Sequence, residues 1–395
     1  HDWIPFLSPM HLRASERTIA AELRDAGYAT CHAGKWHLNG LFNLPGQPQP
    51  REHGFDHWFS AQNNALPNHQ DPYNFVRNGI PVGPQSGTSS RIVADEAIRW
   101  LRESRDKSKP FFLYVCFHEP HEPISTEPRF ADLYRSPDDP SRAAYYGNVT
   151  RMDEAFGRLM SELDGQGLRE RTFVMFTSDN GPARTKYHNA GSAGPLRASK
   201  GHLYEGGIRV PGLVRWPGRV TPGTASDEPV SGVDFLPTVC AVAGLEPPRD
   251  RALDGTNVLP VLEGRGVRRA TPLYWQYNWA LSEPAVALRI GDWKVLGRLG
   301  ERSAERTNIT AEGNRVLKSA ELAGFELYDL KTDLGETTDL SAREPGRLFE
   351  MSAALRKMYL EVREETPAWP VWTAPPYEAQ RIRWPDYVAR PLKER

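Results

Sequence analysis

TRMDEAFGRLMSELDGQGLRERTFVMFTSDNG, Thr150 to Gly181, changes its periodicity partway, and that change decides the fold. Val149, Met152, Phe156, Leu159 and Leu163 recur at helical spacing, which predicts an amphipathic helix over Tyr145–Leu163. The next apolar stretch, Thr172–Ser178, has no polar interruption and reads as a strand buried on both faces. It ends in Asp179 and Asn180 before a turn glycine. A helix that delivers a continuous apolar strand, with polar groups at the strand's end, is the repeating unit of an α/β sheet.

The same unit recurs on either side. "PFFLYVCF" (Pro110–Phe117) and Tyr28–Ala33 read as strands. Helices are predicted from Ser15, as cap, to Ala26, from Ser90 to about Glu103 with Ile92, Ala97 and Leu101 inward, and over Asp234–Ala243. The expected architecture is α/β, a mostly parallel sheet sandwiched by helices, over residues 1–268. The stretch 41–90, rich in Pro, Gly and Asn, reads as long loops. After about Ala270 the texture changes. "AVALRIGDWKVLG" and "FELYDLKTD" predict antiparallel strands, a helix follows near Arg347–Glu364, and an aromatic, Pro-rich tail closes the chain. Residues 269–395 are therefore expected to form a smaller α+β domain with an antiparallel sheet.

The chain has 395 residues and a formal net charge of -1. This balance gives no support for nucleic acid as the main partner, yet permits a small anion held by local cations. Cys31, Cys116 and Cys240 are too few for a disulfide framework. No apolar stretch approaches the roughly 18 residues of a membrane span.

Ligands of open α/β sheets bind beyond the carboxyl ends of the strands. Four such segments carry chemistry. "GKWHL" holds Lys35 and His37; side-chain alternation along an extended run puts both on one face, with Trp36 on the other. "HEPHEP" holds His118, Glu119, His121 and Glu122. "SDNG" offers Asp179 and Asn180, hard oxygen donors suited to Ca²⁺ or Mg²⁺. "KGHLYEGG" holds Lys200. Two lysines, imidazoles and a hard-cation site suit an oxyanion such as sulfate or phosphate. Each segment also has a plainer reading: a surface lysine, an Asx turn, a Pro-rich loop. A zinc cluster in "HEPHEP" is a further alternative, although its prolines exclude the helical i, i+4 spacing.

These stretches resemble the type I sulfatases of the alkaline phosphatase superfamily. "AGYATCHAGKWHLNG" is similar to the second sulfatase signature, and the quoted 150–181 stretch to the helix and strand that lead to the family's metal ligands. "KGHLYEGGIRVPGLVRWPG", "VDFLPTVCAVAGL" and "ELYDLKTDLGETTDL" extend the likeness along most of the chain. The resemblance implies a sulfuric ester hydrolase. Asp179 and Asn180 would ligate Ca²⁺, and Lys35 and Lys200 would hold sulfate oxygens. His121 would serve as general acid at the leaving oxygen, and His37 would assist turnover of a covalent sulfate. His118 has no counterpart in it.

One departure is large. The family's nucleophile is a formylglycine made in Cys/Ser-x-Pro-Ser-Arg, upstream of "GKWHL", and the three cysteines here lack that context. "DDPSR" carries Asp138 at the position to be oxidised and reads as a loop ahead of the Tyr145 helix. The expectation is a sulfatase whose N-terminal segment, with the nucleophile, part of the metal shell and any export signal for the periplasm or exterior, lies upstream of His1. The chain alone is then expected to be inactive. A phosphoester or phosphonate hydrolase and a non-catalytic binder of sulfated glycans are the alternatives; Asn180, where zinc-dependent members tend to use His, disfavours the first. His57, Trp58, Asn63, Asn64 and His69 in the 51–79 loop suit a sugar ring, so a sulfated saccharide is the expected substrate, with packing as the plainer role for the tryptophans.

Overall fold

Cys31 and Ala33 are fully buried at the centre of a five-stranded sheet. The structure is a computed structural model that describes residues 4–135, 139–185, 190–305, 307–376 and 380–384. The strands of this sheet are β1 (Ala29–Lys35), β2 (His57–Ala61), β3 (Val76–Arg77), β4 (Ile80–Pro81) and β5 (Phe111–Cys116), in the order β4-β3-β2-β1-β5. β1 runs parallel to β2 and β5, and β3 and β4 add an antiparallel hairpin at one edge. β2 and the hairpin lie inside the stretch expected to be loop. The reason is local: "HWFSA" is short, and its neighbours are turn-rich.

Helices cover both faces. Ala20 of α1 (Ile19–Asp25) packs with Trp36, Phe55 and Trp58 on one side. α2 (Ser89–Arg99) packs with Leu159 and Leu163 of a later helix on the other. Thr18, not Ser15, caps α1, accepting the Ala21 N–H at 3.0 Å. α2 continues as a π-helical turn over Trp100–Ser104 and buries Ile92, Ala97 and Leu101 as expected. After the short α3 (Pro128–Ala131) comes α4 (Pro140–Gly165). The Asp139 carboxylate caps it by accepting the Arg142 N–H at 3.0 Å, so Pro140-Ser141-Arg142 is the helix's first turn and not a loop; Asp138 lies outside the described residues. The predicted inward face of α4 is only partly covered: Leu159 and Leu163 are buried, whereas Val149 is 36% exposed.

β6 (Val174–Thr177) pairs antiparallel with β7 (Gly212–Arg215) in a two-stranded sheet, with α5 (Glu205–Ile208) between them. Among the described residues, β5 and β6 each pair along one edge only. α6 (Phe235–Ala243) and α7 (Leu259–Leu262) lead to the second sheet. Its strands are β8 (Leu273–Gln276), β9 (Pro284–Ile290), β10 (Trp293–Leu299) and β11 (Leu322–Asp329), antiparallel in the order β11-β10-β9-β8, with α8 (Ala311–Ser319) between β10 and β11. α9 (Pro345–Glu365) covers one face through Met351, Leu355 and Tyr359. The other face packs on Leu203, Tyr204 and Ile208.

The tail then doubles back. Trp372 and Ile309 exchange both backbone hydrogen bonds, and the Arg383 N–H donates to Pro67 O at 3.0 Å. Asn68 Nδ2 donates to Arg383 O at 3.1 Å, and the Arg381 guanidinium lies 5.0 Å from the centre of the Phe6 ring.

Candidate active site

Gly34 sets the first element of the site. Its φ is +112°, and a Cβ there would lie 1.9 Å from Cys116 O, so only glycine lets β1 and β5 approach this closely. β1 stops at Lys35. The Trp36 and His37 N–H groups then donate to Ala61 O and Gln62 O at 2.9 and 2.6 Å. His37 has φ +53°, outside extended space. The strand alternation expected for Lys35 and His37 is therefore corrected: a left-handed turn, not a continuing strand, carries His37. Its Nε2–H donates to Ile4 O at 3.0 Å. Trp36 is buried, edge-on to His32 at 5.1 Å.

"HEPHEP" follows β5 and turns where the His121 N–H meets His118 O at 2.9 Å. Glu119 is its buried anchor. The carboxylate accepts the Ser89 hydroxyl at 2.6 Å, the Ser90 N–H at 2.8 Å and Arg151 Nη2 at 3.0 Å. Burial pushes this carboxyl up, but His69, Arg151 and the Ser89 hydrogen bond outweigh it and hold the pKa at about 2. His69 bonds Ser89 Oγ through Nδ1 (2.8 Å) and donates from Nε2 to His121 O at 2.6 Å. Glu122 instead accepts the Thr185 hydroxyl. The two glutamates thus serve separate partners, and no group of three or more His, Cys, Asp or Glu among the described residues is arranged to hold a metal.

His121 donates from Nδ1 to Glu122 O at 2.7 Å, which leaves the lone pair of the neutral ring on Nε2. Its pKa is lowered to about 3 by burial first, then by the charges of Lys35 and Lys200. His37 is lowered to about 4 by burial, with Lys35 and Lys200 again contributing. The charges of both lysines thus bear on both imidazoles. His118 is buried against Phe75, and neither ring nitrogen has a hydrogen-bond partner.

Asp179 and Asn180 follow β6. Asp179 is exposed, and Asn180 Nδ2 donates to Gly181 O at 2.9 Å. Burial, with Asp179's charge adding to it against Tyr114 and Lys35, raises the Cys116 thiol to about 12. The Gly181 N–H donates to Gly207 O at 2.9 Å, and the Lys200 N–H to Pro182 O at 3.0 Å; these bonds tie the "SDNG" and "KGHLYEGG" segments together. The two oxygen donors suit a hard cation, and they supply only part of a shell.

Sequence reasoning missed the Glu119–Arg151–His69 support. Arg151 falls at helical spacing with Ala144, Asn148, Ala155 and Leu159, so a charge on an inward stripe was the available signal. In the 51–79 stretch, the sugar-binding expectation is corrected for three residues: His69 is buried with both ring nitrogens hydrogen-bonded, and two others are also engaged. Trp58 is buried in the core, and His57 bonds Glu96 Oε1 at 2.8 Å beside Arg77 and Arg99.

The sulfatase family model matches residues 7–245, more than half of the chain. The chain belongs to the sulfatase family. A second model, the C-terminal region of N-sulphoglucosamine sulphohydrolase, matches residues 198–296 of this sulfatase-family chain. N-acetylgalactosamine-6-sulfatase of Rattus norvegicus is 32% identical over 303 residues, 71% of this chain and 54% of the relative. The chain thus spans about half the length of that relative. The crystal structure of Ps i-CgsB in complex with k-i-k-neocarrahexaose superposes with a TM-score of 0.75 at 24% identity, covering 96% of this chain and 81% of the other. Phosphonate monoester hydrolase of Agrobacterium radiobacter shares the fold at a TM-score of 0.54 and 20% identity, covering 92% and 86%. The fold alone therefore does not choose between ester classes.

Proposed function

We propose that this protein is a sulfuric ester hydrolase acting on a sulfated saccharide, and that its nucleophile comes from a segment upstream of His1. The observation that carries the reading is the sulfatase-family match over residues 7–245, which spans the Lys35, His37, His121 and Lys200 segments; the charges of Lys35 and Lys200 also bear on both imidazoles. Two ammonium groups beside two neutral imidazoles suit an oxyanion, and each close ammonium–anion contact contributes about 4 kcal/mol at an effective dielectric near 20. Lys35 and Lys200 hold the sulfate oxygens. Asp179 and Asn180 would hold Ca²⁺ together with donors from the upstream segment, and that ion would supply further positive charge to the sulfate and the nucleophile. The unpaired edges of β5 and β6 are where an upstream strand fits.

His121 is the general acid. In the free site burial first, and then the charges of the two lysines, keep it neutral. A bound sulfate ester opposes their field and raises its pKa toward protonation. As the S–O ester bond breaks, the leaving oxygen gains charge and takes that proton. A phenolate carries the charge unaided, whereas a sugar alkoxide does not.

The test uses the protein with its upstream segment restored. His121→Ala is expected to slow a sugar sulfate by about 10²–10⁴-fold and an activated aryl sulfate far less. Lys200→Ala is expected to slow both alike. Equal losses in His121→Ala would move the acid role to another residue, and faster turnover of phosphonate than of sulfate esters would overturn the substrate class. The chain without its upstream segment is expected to turn over no aryl sulfate; robust turnover lost in Lys35→Ala would remove the upstream nucleophile from the proposal.

A further inference from the structure

Lys294 is a fully buried lysine, and its surroundings are those of a latch. It lies on β10 opposite Tyr328, on the sheet face turned away from α9. Its Nζ donates to Glu205 Oε1 at 2.9 Å and pairs with Glu336 Oε1 at the same distance. Glu336 in turn accepts the Glu205 N–H at 2.6 Å. Both carboxylates are buried, so the ammonium is what makes their proximity tolerable. Arg197 encloses the cluster: it donates to Glu336 O at 2.8 Å and to the Tyr328 hydroxyl at 2.9 Å, and stacks 3.7 Å over Tyr204.

Glu205 opens the turn that closes on the active site. The Gly206 N–H donates to Arg197 O at 2.8 Å, and Gly207 O receives the Gly181 N–H. These contacts leave no slack. A Cβ on Gly181 would lie 1.9 Å from Gly206 O, and one on Gly207 would lie 2.1 Å from His202 O. Lys200, within the same knot, is tied to Pro182 O, and Gly201 O accepts the Leu281 N–H at 2.7 Å. A continuous path of short polar contacts therefore runs from Lys294 through Glu205 and the glycine pair to Asn180 and Lys200. The apolar packing follows it, since Leu203 and Tyr204 share a core with Ala287 and Leu296 of the second sheet.

We propose that Lys294 is a positioning residue, by which the second sheet sets the register of Lys200 and the Asp179–Asn180 turn against the oxyanion site. The anion-binding half of this inference rests on the function proposed above; the register half does not. The test compares two variants of the chain. Lys294→Met keeps the volume and removes the charge. Leu355→Ala damages the opposite, α9-facing side of the same sheet and serves as a control for general destabilisation. Amide hydrogen exchange is read at Gly181, Lys200, Gly206 and Gly207, well below either melting temperature, and inorganic sulfate binding is read by calorimetry. Lys294→Met is expected to speed exchange at those four amides at least tenfold and to weaken sulfate at least tenfold; Leu355→Ala is expected to do neither. Equal exchange at those amides in the two variants overturns the proposal. Faster exchange in Lys294→Met alone, with no sulfate bound by the unaltered chain, upholds the register and overturns the anion reading instead. Should Lys294→Met fail to fold, the Lys294→Met/Glu205→Gln/Glu336→Gln variant removes the three charges together and is read in the same way.

Discussion

Two largely apolar strands meet different fates. β5, FFLYVC, has no fully covered residue, and Tyr114 is 51% exposed. β9, PAVALRI, buries its first five residues, with Ala285, Val286, Ala287 and Leu288 at 0%. The strands differ in their neighbours. β9 has a paired strand on each side and matter on both faces. Among the described residues β5 pairs only with β1, and β6, whose Val174 joins the same core, pairs only with β7. How far an apolar strand is buried depends on the strands beside it and the elements on its two faces as well as on its own residues.

The comparison breaks first at Leu355, which is fully buried under the second sheet. Leu355→Ala is expected to destabilise by about 2–5 kcal/mol, measured by urea unfolding. A loss below 1 kcal/mol, on the order of a surface change, would mean that this core is no tighter than the region around β5.

A second difference is in acid response. His118, buried beside the open-edged sheet, has its pKa lowered to about 3, by burial first. Its unfolded value is near 6.5, so the unfolded chain binds the extra proton between those limits, and stability is full above about pH 6.5 and falls as pH drops through the window. At pH 5 the loss from this group is about 2 kcal/mol. His118→Phe is expected to flatten the decline between pH 7 and 5. An unchanged slope in that variant would show that His118 does not titrate this way.

The smallest effect sharpens the contrast most. Leu113→Ala on β5 is expected to cost under about 2 kcal/mol in this chain, because the side chain is only partly covered. The cost should rise toward that of Leu355→Ala once an upstream segment fills the gap, and binding of a hydrophobic dye should fall in parallel. A Leu113→Ala loss equal to that of Leu355→Ala in the chain alone, with no dye bound, would remove the open edge from the account.

What could be read in advance follows from range. The α4–β6 unit and the β9–β10 hairpin announce themselves through local periodicity, and the hairpin turns at Gly291-Asp292. The segments that carry Lys35, His37, His121 and Lys200 could be singled out by the rule that α/β sheets bind ligands at strand ends, whereas the role expected of each residue came only from the family resemblance. The route by which His37 arrives was not legible, because its left-handed turn depends on Gln62 and Ile4 from other segments. β2 was hidden by the turn-rich sequence around it. The Lys294–Glu205–Glu336 cluster was invisible, since each residue alone reads as a surface charge.

The returning tail has a consequence for the order of events during synthesis. Pro67 and Asn68 neighbour His69, which bonds His121 O, and their partner is Arg383. That partner leaves the ribosome more than three hundred positions after them. At about 5–20 residues per second, the loop beside His121 waits on the order of 15–60 seconds before this contact can exist. Early-made parts of the pocket are thus finished by a segment made much later. A chain released before Arg383 would carry its strands and helices with this rim of the pocket still unfastened.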